Sequence, residues 1–112
     1  LDAGNCKKDQ SARTLQLSEL QKYIKNKNSN YPIIITGDFN IDYNSSESET
    51  IKNFIDNLDL DFVKWDKKYF LDNNVDYIFF NNINQSNEWL INNNIYNISD
   101  HPPMRTMLEF KQ

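Results

Sequence analysis

Apolar positions along this chain switch between two spacings, and each switch marks an element. Leu17, Leu20 and Ile24 recur at helical intervals, with Leu15 and Tyr23 widening the stripe and Lys, Gln and Asn opposite, which predicts a helix over residues 9–27. Asn28, Ser29 and Asn30 end it. After Pro32, the run Ile33, Ile34, Ile35 and Thr36 reads as a strand covered on both faces, closed by Gly37, which tolerates dihedrals that a Cβ would block. A polar loop then leads to Ser46 and Glu49, spaced as a capping box, and to a second helix with Ile51, Phe54, Ile55 and Leu58 on one face. Helix, strand and helix in alternation predict helices packed on a sheet, an α/β or α+β class.

The second strong strand signal is Val75-Asp76-Tyr77-Ile78-Phe79-Phe80. Its acid is costly to bury unless something pairs with it. Residues 88–92 and 95–98 are weaker strand candidates, and a last strand is expected at about residues 104–110, after Pro102 and Pro103 have kept Ser99, Asp100 and His101 from becoming helical. Between the strong strands, residues 62–74 have no clean period. There Lys64, Lys67 and Lys68 interleave with Trp65, Tyr69 and Phe70, which suits either stacking on an anionic substrate or aromatic rings folded onto the domain.

At 112 residues the chain suits one modest domain, taken here as residues 1–112. No apolar run approaches the roughly 20 residues of a membrane span. A net charge of −4 argues against wholesale tracking of a phosphate backbone, although it leaves a nuclease open. One Cys and one His cannot close a zinc site or build a disulfide framework, whereas 16 acidic residues offer oxygen ligands to Mg²⁺ or Ca²⁺. The many Asn are dispersed among patterned apolar positions, as expected of codon bias and not of an aggregation-prone tract.

Candidate chemistry gathers at strand ends. Asp38 and Asn40 stand two apart just past the Ile run, where an extended backbone would send both side chains to one ligand, and a strand-to-turn exit would use them for local hydrogen bonds instead. With Asp76 at the head of its strand and His101 beside Asp100 in a proline-stiffened loop, these are the polar groups a phosphate-and-metal site requires.

The ordered set Gly37-Asp38-Phe39-Asn40, Asp76-Tyr77-Ile78-Phe79 and Ser99-Asp100-His101 resembles the endonuclease/exonuclease/phosphatase superfamily, which includes deoxyribonuclease I-like nucleases and neutral sphingomyelinases. The opening Leu1-Asp2-Ala3-Gly4, followed by Asp9, Ala12, Arg13, Gln16, Leu17 and Leu20, is similar to the segment after a Thr-His pair in bacterial members. What the resemblance implies is half of a four-layer α/β/β/α sandwich, one mixed β-sheet with two outer helices. Family domains are roughly twice this long, so the chain is expected to be the C-terminal half, with an Asn and a Glu metal ligand belonging to an absent N-terminal half.

By the same resemblance the complete domain hydrolyses a phosphoester with Mg²⁺, Mn²⁺ or Ca²⁺ as alternatives. Asp38 orients or deprotonates the attacking water and Asn40 donates to a phosphate oxygen. His101 stabilises phosphoryl oxygens or shuttles a proton, Asp76 fixes its tautomer and favours its cationic form, and Asp100 joins the absent Glu at the metal. The substrate is a phospholipid, a small phosphodiester or a nucleic acid. The competing expectation is a non-catalytic binding or scaffold module that keeps the fold.

Overall fold

The computed structural model describes residues 1–27, 30–64, 75–90, 101 and 104–111, with residues 86–90 described by their backbone. Helix α1 runs Lys7–Asn26 and buries Leu17, with Leu20 and Ile24 partly buried against the core. Leu15 and Tyr23, expected to widen this stripe, are instead 64% and 61% exposed. The buried line is 13, 17, 20 and 24, one step round the helix, and its first place goes to Arg13.

Helix α2, Ser48–Asn57, buries Ile51, Phe54 and Ile55 as its spacing predicts. Its expected capping box at Ser46 does not form, because the helix starts later and Glu47 is the N-cap without a side-chain cap bond. The turn before it is held by Ser45, whose hydroxyl donates to the Asp42 carbonyl at 2.7 Å and accepts from the Glu47 N–H at 3.2 Å. The Glu47 carboxylate is committed to Arg13, at 2.8 and 2.9 Å.

Strands β1 (Ile33–Asp38), β2 (Asp61–Phe62) and β3 (Asp76–Asn81) form an antiparallel sheet in the order β1-β3-β2, while β4 (Asn84–Leu90) and β5 (Met104–Glu109) form an antiparallel pair of their own. The class is therefore α+β, with the two helices expected. In place of one mixed sheet, the described strands make two antiparallel sheets. Asn82, at φ 57°, lies in the short connection that passes from β3 in one sheet to β4 in the other. Strand β2 carries no readable period, being two residues long. Of the weaker strand candidates, residues 88–90 fall within β4, whereas 91–92 and 95–98 lie outside the described residues, as do Trp65, Lys67, Lys68, Tyr69 and Phe70.

Alternation along β3 divides the core in two. Tyr77 and Phe79 face the helices, where they join Leu17, Phe39, Ile51, Phe54 and Phe62. Ile78 and Phe80 face the other way, against Val63, Ile83 and the β5 residues Met104 and Leu108. Neighbouring β1 is covered on one face only, since Ile33 and Ile35 are half-buried and Ile34 is 52% exposed. The expectation of a strand covered on both faces is not met among the described residues, where the side chain of Ile34 lies exposed. Among the described residues no helix is long and apolar enough to cross a membrane.

Candidate active site

The register of β1 on β3 sets Asp38 opposite Asp76, so two carboxylates meet across one end of the ladder. Two like charges across a pair of strands repel unless a cation or a shared proton lies between them. His101 is the group that answers them. Its Nδ1 stands 2.8 Å from Asp76 Oδ2 and 4.0 Å from Asp38 Oδ2. A proton on Nδ1 shared with Asp76 fixes the ring tautomer and leaves Nε2 as the nitrogen that can face a substrate. The side chains of Asp38, Asp76 and His101 remain 41%, 27% and 42% exposed, so the cluster is open to a ligand.

Asp38 and Asn40 do not meet as neighbours on an extended strand. Asn40 adopts φ 52°, and its N–H donates to Asp38 Oδ1 at 2.8 Å, the local turn that Asp favours. One oxygen of Asp38 thus shapes the turn, and the other approaches His101. The Asn40 carboxamide donates through Nδ2 to the Leu1 carbonyl at 2.6 Å. Gly37 enters this turn at φ 157°, with the Phe39 ring 3.9 Å from where a Cβ would stand, so what favours glycine is backbone conformation and not space.

Further bonds hold the turn from below. The Phe39 N–H donates to the Val75 carbonyl at 2.9 Å, and the Tyr77 hydroxyl donates to the Ile41 carbonyl at 2.6 Å. Burial pushes the Tyr77 phenol far up from its ordinary pKa, with Asp42 and Tyr43 adding to the shift, so it remains a donor. Sequence reading placed Tyr77 only within a strong strand and missed this task. Its only trace there is a hydroxyl on an otherwise apolar strand face.

Of the residues expected to act, Asp38, Asp76 and His101 come together, Asn40 lies beside them on the same turn, and Asp100 lies outside the described residues. The three clustered groups each offer one ligand atom, all within 4.8 Å of one another. Carboxylate oxygens suit a hard cation such as Mg²⁺, Mn²⁺ or Ca²⁺, so the donor set fits a divalent ion. The imidazole is already engaged by Asp76, which suits it to protons and phosphoryl oxygens.

The sequence of residues 4–101 matches the model of the Endonuclease/Exonuclease/phosphatase family. No curated protein and no solved structure matches the chain.

Proposed function

We propose, from the premise that this chain belongs to the Endonuclease/Exonuclease/phosphatase family, that it contributes the catalytic cluster of a divalent-metal-dependent phosphoester hydrolase. The family's reactions are hydrolytic and act on phosphoesters. The observation that carries the reading is the convergence of Asp38 and Asp76, from paired strands, on His101. It applies to the complete domain, in which a Glu and an Asn ligand outside these residues complete the site.

Hydrolysis needs a water aligned against the leaving oxygen, neutralisation of charge on the phosphoryl group and a proton for the departing alkoxide. Asp38 takes the first task. Its Oδ1 is occupied by the turn, so Oδ2 orients the water and accepts its proton. His101, held by Asp76, presents Nε2–H to the phosphoryl oxygens and gives that proton to the departing alkoxide, and the carboxylate stabilises the positive ring beforehand. Asn40 has a second amide hydrogen beyond the one given to Leu1, and donates it to a phosphate oxygen. By the resemblance Asp100 would supply a carboxylate to Mg²⁺, Mn²⁺ or Ca²⁺, and that cation would neutralise phosphoryl charge.

The experiment is a metal titration of the complete protein, assayed on DNA, sphingomyelin and inositol phosphates, with Asp38→Asn as control. Chelation abolishes turnover and Mg²⁺ restores it. Asp38→Asn keeps a carbonyl oxygen that can accept the Asn40 N–H, so the turn survives while turnover falls by about 10²-fold or more. Full turnover in a folded Asp38→Asn protein removes Asp38 from the chemistry. No hydrolysis across the panel, with metal bound, leaves the scaffold-module reading.

A further inference from the structure

Arg13 is fully buried, at a place in the helical stripe where an apolar side chain would pack as well. Its Nε and Nη2 grip Glu47 at 2.9 and 2.8 Å, and its Nη1 donates to the carbonyls of Asp2 at 3.0 Å and Gly4 at 2.7 Å. Stability alone is a poor reason for such a group, because a buried ion pair is often no better than apolar residues of similar volume. What the guanidinium does that an apolar residue could not is hold backbone carbonyls.

The segment it holds leads directly to the site. Gln16 accepts the Asp2 N–H at 2.9 Å from the same helix, so Asp2 is fixed through both its N–H and its carbonyl. One residue earlier, the Leu1 carbonyl accepts the Asn40 carboxamide at 2.6 Å and the Leu1 nitrogen donates to the Asp38 carbonyl at 2.9 Å. Gly4 makes the approach possible. It stands at φ 107°, and a Cβ there would come within 2.7 Å of Asp9 Cγ.

We propose that Arg13 is a positioning residue for the reaction, acting with Gln16 through the backbone of residues 1–4 to set the orientation of the Asn40 carboxamide. This rests on the phosphoester-hydrolase reading of the site. The carboxamide nitrogen carries two hydrogens, and committing one to Leu1 fixes the plane in which the other points. Loosening the segment lets that plane rotate. A substrate-binding loss would show in KM, whereas misorientation of a donor needed most in the transition state shows in kcat.

The test uses the complete protein and two variants. Arg13→Lys retains the charge and loses the fork that reaches two carbonyls and a carboxylate together. Gln16→Ala removes one bond to the same segment from an exposed side chain, leaving the buried pair untouched. Ile55→Val, in the core and away from the site, serves as a destabilised control. The side-chain amide signals of Asn40, read by NMR, should shift and exchange faster in both variants. In Arg13→Lys, kcat should fall between about 10- and 100-fold at nearly constant KM, with a smaller loss in Gln16→Ala, as for a reacting group displaced by a fraction of an ångström. Ile55→Val should change neither readout. Unmoved Asn40 signals in Gln16→Ala, or in a folded Arg13→Lys, overturn the proposal, as does an equal kcat loss in Ile55→Val. If Arg13→Lys does not fold, the Gln16→Ala signals decide. Absence of hydrolysis in the unmodified protein would sink the hydrolase reading, while the Asn40 signals would still judge the positioning.

Discussion

Asp76 has His101 at 2.8 Å and Asp38 across the ladder, so its carboxylate both orients the imidazole and favours its positive form. Asp76→Asn keeps the shape and removes the charge. The His101 pKa is expected to fall in this variant, and the alkaline side of the rate profile, where the ring loses its proton, to move to lower pH with it. An NMR titration of His101 in both proteins checks this, and coincident curves would refute the pairing. Arg13 shows the opposite case at this scale. Hydrogen bonds to Glu47 push its guanidinium still further up, so it keeps its charge in the folded protein at any accessible pH and acts by geometry alone.

Among the elements, α1 carries a device at its start that its periodicity does not reveal. The Asp9 carboxylate accepts from the Cys6 thiol at 2.9 Å and from the Cys6 N–H at 3.2 Å, and these bonds hold its carboxyl below the ordinary value of 3.8. A carboxylate whose folded pKa is depressed stabilises the fold above its unfolded pKa. That contribution is lost as pH falls through the folded value. Helicity of α1 should therefore weaken below about pH 3.8 in the natural protein, and Asp9→Asn, weaker at neutral pH, should lose less on acidification. Denaturant titrations followed by far-UV circular dichroism at neutral and acid pH compare the two, and equal acid sensitivity would rule out the cap.

At the scale of the whole molecule, the ring of Phe79 joins elements distant in sequence. It lies 5.2 Å from Phe39, 5.7 Å from Phe54, 6.2 Å from Phe62 and 4.9 Å from Tyr77, and is itself fully buried. Phe39 belongs to the active-site turn, so the same core that packs α2 on the sheet also seats the turn that carries Asp38 and Asn40. Phe79→Ala is expected to cost about 3–5 kcal/mol, a large part of the 5–15 kcal/mol typical of a folded domain. Thermal melts measure it, and a loss under about 1 kcal/mol would mean that the cluster can collapse around the gap.

Local spacing by itself determined both helices, the strands at Ile33 and Asp76 and the last strand, and it singled out Asp38, Asp76 and His101, which the fold brings together, because period and motif are properties of neighbours in the chain. It carried the choice between a convergent and a local use of Asp38 no further, since the left-handed backbone of Asn40 depends on the strand below it. Tertiary structure alone decided that Asp38 faces Asp76, that Leu15 and Tyr23 turn outward, and that Arg13 makes four hydrogen bonds to Glu47, Asp2 and Gly4. The physical reason is the same in each case. Strand register, the covered face of a helix and the partner of a buried charge are set by contacts between residues far apart in the chain, where periodicity carries no signal.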